Sequence, residues 1–166
     1  MGTFAGLGRR GVLTLGAATV LGACTSTAQG TDANTVRTDS EPLERRFTAL
    51  GPLSKAHWLG VVLGTDSRVS VPGPRDVRVV GFAQLRAGNV ALITGAPQRG
   101  FLPATPSQLP EALAQFMPKS ARWVRSESFD RAVTGGTYSG AFYVDPDANW
   151  VCFDTTNPST AASSSQ

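Results

Sequence analysis

The run Thr137-Tyr138-Ser139-Gly140-Ala141-Phe142-Tyr143-Val144, then Asp145-Pro146-Asp147-Ala148-Asn149, then Trp150-Val151-Cys152-Phe153-Asp154 decides the fold. Two aromatic and β-branched runs flank a stretch whose Asp, Pro and Asn each supply turn geometry. The pattern predicts a β-hairpin, Thr137 to Val144 and Trp150 to Asp154, with a five-residue loop. Gly135-Gly136 makes the turn that leads into it.

Working outward, Val77 to Leu85 alternates with period two and is apolar on most positions of both faces, which predicts a long strand. Ala56 to Leu63 holds Trp58, Leu59, Val61, Val62 and Leu63 and predicts another, bounded by Gly64. Ala121 to Phe129 is strand-like around Trp123 and Val124. Asn89 to Thr94 fits either a short strand or a short helical segment. Ser107 is placed to cap a helix from Gln108 to Met117, with Pro110 in its first turn, Pro118 ending it, and Leu109, Leu113, Phe116 and Met117 on one face. The sum is an α+β domain: a mainly antiparallel sheet of about five strands with one or two short helices.

The 166 residues leave room for one domain, and the 41% apolar content is enough for a core. Four segments are expected: a signal peptide over 1–23, a flexible tether over 24–44, the α+β domain over 45–154 and a Ser/Thr-rich tail over 155–166. The tether and tail are polar and lack apolar periodicity.

The N-terminus carries the clearest message about address. Arg9 and Arg10 precede an uncharged stretch from Gly11 to Ala23. Its 13 residues would span about 20 Å as a helix, short of the about 30 Å of a bilayer core. It therefore reads as the apolar region of a signal peptide. Leu21-Gly22-Ala23-Cys24 resembles the lipobox of bacterial lipoproteins. The resemblance implies cleavage between Ala23 and Cys24 and a diacylglycerol on the Cys24 thiol. Two acyl chains give durable attachment where one gives only marginal binding. The expected location is the extracytoplasmic face of a cell membrane. Arg9-Arg10 followed by Gly11-Val12-Leu13 also resembles a twin-arginine export signal, while an ordinary secretory signal carries basic residues too, so both routes stay open.

The formal charge of +3 does not mark a nucleic-acid binder. Without Arg9 and Arg10 the chain has 13 basic and 12 acidic side chains, a charge of +1, and no basic run beyond Arg45-Arg46. With Cys24 lipidated, Cys152 has no partner within the chain; in Trp150-Val151-Cys152-Phe153 it reads as a small buried hydrophobe, the alternative being a reactive thiol or an intermolecular disulfide.

Catalytic patterns are thin. Gly136-Thr137-Tyr138-Ser139-Gly140 sets its serine one place too late for a nucleophile elbow, and neither Lys55 nor Lys119 has Ser three residues before it. One His and one free Cys do not make a zinc site, and Asp145, Asp147 and Asn149 lack the Gly and Glu that complete a calcium loop. No metal and no cofactor is expected. A small envelope hydrolase would have to use His57 with Ser67 and Asp66 or Asp76.

The favoured expectation is a non-enzymatic binding or interaction module, with an envelope protein, a glycan or a small molecule as partner. Candidate binding residues are Trp58 and the arginines of the Pro-stiffened stretch Asp66 to Asp76, namely Arg68 and Arg75. That stretch resembles loops of uncharacterised lipoproteins of high-GC actinobacteria, a resemblance that implies an origin and no activity. The aromatic set Trp58, Trp123, Tyr138, Phe142, Tyr143 and Trp150 offers either core or a groove wall.

Overall fold

In the computed structural model, which describes residues 35–64 and 76–159, the hairpin forms as its residues require. Strands β5 (Ser139–Asp145) and β6 (Trp150–Thr156) pair with Phe142 opposite Phe153 and Val144 opposite Val151. Asp145 pairs with Trp150, so the strand reaches one residue further and the loop is one residue shorter than expected. The Asp145 carboxylate accepts from the Asp147 N–H at 3.0 Å, and Asn149 takes a left-handed φ of 57°, a conformation Asn tolerates.

The other elements run α1 (Glu41–Arg46), β1 (Leu53–Val62), β2 (Val77–Leu85), α2 (Asn89–Thr94), β3 (Leu102–Pro103), α3 (Glu111–Ala114), β4 (Val124–Arg125) and α4 (Glu127–Thr134). The six strands make one sheet in the order β1-β2-β6-β5-β4-β3, every neighbouring pair antiparallel. The α+β class with a mainly antiparallel sheet holds. The sixth strand, beyond the five expected, is the two-residue β3, which pairs on the outer side of β4.

The sheet is covered on both faces, which is why β2 is apolar at nearly every position. Val79, Ala83 and Leu85 turn toward a layer formed by Leu43 of α1, Val90 and Ile93 of α2 and Phe129 of α4. Val80 and Phe82 turn to the opposite layer, formed by Leu113 of α3, Trp123 and the connections around them. Cys152 sits in this second layer, fully buried, and burial pushes its thiol pKa far up, so it behaves as a small hydrophobe.

A bulge shapes the sheet's first edge. Ser54 opposes Gln84 and His57 opposes Phe82, so β1 carries one residue more than β2 across this interval, with Lys55 at a φ of 47°. Downstream of it Trp58 lies across Gly81, close enough that a Cβ on Gly81 would meet the His57 carbonyl oxygen at 2.4 Å and the Trp58 Cβ at 2.5 Å. Before α1, Arg37 pairs with Trp58 through two backbone hydrogen bonds of 2.8 and 3.0 Å and covers the middle of the β1 edge. At the other edge Ala104 N–H donates to Trp123 O at 3.1 Å. The alternation of an antiparallel ladder then turns the backbone polar groups of Pro103 outward, and proline brings no N–H there.

Several expectations shift. Ordered structure begins ahead of residue 45: α1 crosses the expected tether boundary, starts with Pro42 in its first turn and buries Leu43. It also runs past residue 154, because β6 continues to Thr156 and Asn157 closes the sheet end through Val77, its N–H donating to the carbonyl at 2.7 Å and its Oδ1 accepting from the N–H at 2.7 Å. Residues 35–40 of the expected tether are described as well, Arg37 among them pairing with Trp58. Residues 1–34, which hold the expected signal peptide and the start of the tether, and residues 160–166 of the expected tail lie outside the described residues.

The helix expected over 108–117 is one turn, Glu111–Ala114, entered from Pro110 without a Ser107 cap. Gln108 stands at a φ of 55°, its carbonyl held by Arg78 at 2.8 Å, and that conformation excludes it from a helix. Asn89 to Thr94 is helical. Only Val124–Arg125 of the expected 121–129 strand pairs into the sheet; α4 follows at once, because Ser126, still extended, accepts at Oγ from the Phe129 N–H at 3.2 Å, and Gly135, at a φ of 60°, ends the helix.

Candidate functional site

The side chains singled out by sequence do not converge. Trp58 is 5% exposed; its indole N–H donates to the Asp39 carbonyl at 2.9 Å and the Arg37 guanidinium covers its ring at 4.2 Å. It is a pillar of the first layer rather than a binding surface, because the bulge turns it inward. Arg68 and Arg75, with Ser67 and Asp66, lie outside the described residues, as do Arg9, Arg10, Ala23 and Cys24.

His57 stacks on Phe116 at 4.1 Å, the planes 17° apart, and its Nδ1 lies 3.2 Å from the Lys55 carbonyl oxygen. Asp76 cannot be its relay partner. The Asp76 carbonyl accepts from the Leu63 N–H at 2.8 Å, six residues along β1 from His57 and thus about 20 Å away. The Asp76 carboxylate instead accepts from the Asn157 amide at 2.6 Å.

Two ionic contacts within the sheet are structural. Arg78 binds Asp154 through Nε and Nη2 at 2.8 and 2.7 Å, across from β2 to β6, while also holding Gln108. Asp130 of α4 accepts from the Phe142 N–H at 2.8 Å and from Arg125 Nε at 2.8 Å, tying the helix to β5 and β4. This pair favours charge at Arg125 and disfavours it at Asp130. The Asp130 side chain is 7% exposed against 36% for Arg125, so the carboxylate bears the loss of water. Burial therefore raises the Asp130 pKa despite the hydrogen bonds from Phe142 and Arg125.

A carboxyl whose pKa is raised on folding holds its proton to higher pH in the native state than in the unfolded chain. Its contribution to stability is greatest below the ordinary Asp value of about 3.9 and is lost as pH rises through the raised value. Asp130→Asn keeps an oxygen for the Phe142 N–H and removes this slope. Urea unfolding of both proteins between pH 3.5 and 7 should show the variant gaining on the parent as pH rises, ending within about 1 kcal/mol of it at pH 7. Asp130→Ala strands the Phe142 N–H and should cost about 2 kcal/mol more than Asp130→Asn.

Concavity, by contrast, occurs at the β3–β4 end of the molecule. Three separate pieces of chain meet there: Pro103 to Thr105, Met117 to Val124, and Pro146 and Asp147 of the β5–β6 loop. They enclose a groove of about 630 Å³. Its depth is set by Trp123, whose ring packs on Phe82 with centroids 6.3 Å apart. The Ala104–Trp123 hydrogen bond fixes one wall to β4, and Ala121 N–H donating to Pro118 O at 3.4 Å folds the other. Pro103, Ala104, Ala121, Val124 and Pro146 make the lining mainly apolar. Lys119, Arg122 and Asp147 stand at its rim, Arg122 Nε donating to Asp147 Oδ2 at 2.6 Å. Of the aromatic set, Trp123 alone lines the groove. Phe142 is deep core, Trp58 and Tyr143 are buried, and Tyr138 and Trp150 pack partly buried against the two layers.

Among the described residues no group of three or more His, Cys, Asp or Glu side chains could hold a metal ion, and no helix is long and apolar enough to cross a membrane. The chain matches no protein-family model, no curated protein and no solved structure.

Proposed function

We propose that this chain is an extracytoplasmic lipoprotein held to a membrane by lipid on Cys24, and that its folded part is a non-enzymatic binding module whose ligand lies in the groove beside Trp123. The groove is the observation that carries the binding reading. A concave, mostly apolar site of about 630 Å³ with a few charged groups at its rim has the size and make-up of small-molecule and peptide sites. The anchor is supported by Leu21-Gly22-Ala23-Cys24 behind an apolar stretch too short to span a bilayer.

The anchor and the site are tested together by fractionating and crosslinking the protein in its host. Cys24→Ala should move most of the protein out of the lipidated membrane pool and abolish metabolic labelling by palmitate; unchanged labelling would overturn the anchor. Arg122→Glu changes one exposed rim charge, so the fold should tolerate it. It should remove the crosslinked ligand or partner while leaving the lipid in place; a crosslink insensitive to every rim substitution would overturn the groove as the site.

A further inference from the structure

We infer that the groove takes a single-chain amphiphile: an unbranched aliphatic body on the floor and one anionic headgroup, carboxylate or phosphate, at the rim. This rests on the groove being the ligand site.

The lining decides the body. Between the rim charges the Thr105 hydroxyl and the Trp123 indole N–H are its side-chain hydrogen-bonding groups; Pro103, Ala104, Ala121 and Val124 offer none, and the prolines Pro103, Pro118 and Pro146 bring no backbone N–H. A sugar or a peptide laid there would give up water from many polar groups and find few partners to replace those hydrogen bonds. A methylene chain loses nothing of the kind and gains contact with the Trp123 ring and the apolar walls. Met117, 40% exposed at the margin, supplies an unbranched, adaptable side chain that can close over such a body.

The rim decides the head. Lys119 and Arg122 face one carboxylate, Asp147, leaving an excess of one positive charge. Arg122 is engaged with Asp147, whereas Lys119 forms no ion pair among the described residues. An anionic headgroup supplies the missing partner, and a cationic one would be repelled by Lys119.

The test uses the mature chain from residue 24 with Cys24→Ser, ¹⁵N-labelled, titrated below micelle formation with sodium decanoate, decyl phosphate, decyltrimethylammonium bromide and sodium butyrate. Decanoate or decyl phosphate should shift the amide signals of Ala104, Lys119 and Trp123 saturably and bind at least tenfold more tightly than decyltrimethylammonium. Whichever anion binds better identifies the headgroup. Butyrate, which has charge but almost no body, should give no saturable shift. Lys119→Glu should weaken decanoate at least fivefold; Leu92→Glu, at a well-exposed leucine on α2, should leave it unchanged.

Decyltrimethylammonium binding the groove as tightly as decanoate would overturn the anionic class while leaving the groove a ligand site. Butyrate binding as well as decanoate would overturn the aliphatic body. A groove silent to all four probes would overturn the inference outright; if the host crosslink is still lost in Arg122→Glu, the binding reading survives that result.

Discussion

Gly81→Ala is expected to cost about 3 kcal/mol or more, the upper range for forcing one extra methyl into a filled site. For a domain of this size that lowers the melting temperature by about 12 °C or more. The cause is local and directional. The added Cβ would meet the His57 carbonyl oxygen at 2.4 Å and the Trp58 Cβ at 2.5 Å. One obstacle is backbone and the other is the root of a buried side chain, so neither can swing aside. The bulge around Lys55 brings them there by adding a residue to β1 and twisting it over β2. Relief would require undoing the Trp58 pairing with Arg37, and with it the attachment of the N-terminal segment. Gly60→Ala in the neighbouring strand is the control. Its nearest heavy atom would be 3.9 Å away, an ordinary contact, and the change should stay within about 0.5 kcal/mol. Equal losses for the two alanines by urea denaturation would refute the contact as the cause.

Phe142→Ala should lose about 4 kcal/mol. Phe142 is fully buried in the middle of β5, with the Phe47 ring edge-on at 5.2 Å and the Phe129 ring edge-on at 6.4 Å. Phe47 in turn lies 5.3 Å from Phe153, so one side chain supports the contact between the first helical layer and both strands of the hairpin. Its removal takes away transfer energy and edge-on ring contacts, and leaves a cavity between elements that the sheet ladder keeps from collapsing. The Phe142 N–H still reaches Asp130, so the loss is one of packing rather than of hydrogen bonding. The urea midpoint should fall with an unchanged slope. A loss below about 1.5 kcal/mol would mean that the layer repacks around the gap.

The long strands were legible because period-two alternation needs only neighbours along the chain. Val77 to Leu85 even announced a sheet covered on both sides, since no polar face was left for water. The elements that escaped were those without periodicity of their own. Val124–Arg125 is two residues long and extended only because β5 and β3 flank it. α1 shows one buried apolar residue, Leu43, in an otherwise charged stretch, and so resembles tether until Phe47 and Leu50 are seen to follow it into the core. α4 did carry local signals, Ser126 at its start and Gly135 at its end, outweighed by the strand-forming Trp123 and Val124 just upstream. Gly81 carried a signal that went unread: a glycine inside a strand often marks close approach of another backbone.

The groove was out of reach for a different reason. Its walls come from three stretches separated by up to about forty residues, and only the strand order brings Pro103, Lys119 and Asp147 together. Trp123 stood among six aromatics with nothing in its neighbours to set it apart from the core. Trp58, a candidate binding residue by sequence, is turned inward by a bulge whose only sequence trace is an unremarkable Ser54-Lys55-Ala56.

Under the proposed membrane anchor, Pro103 acquires a consequence. Proteins tethered to a membrane diffuse in two dimensions and meet repeatedly in similar orientations, so any sheet edge that can accept a further strand invites lateral polymerisation. Here the last strand is two residues long and its outward backbone position has no N–H to offer. The opposite edge is occupied at its midpoint by Arg37. The sheet is thereby terminated at one end and interrupted at the other, and neighbouring copies can crowd one another without zipping into fibres.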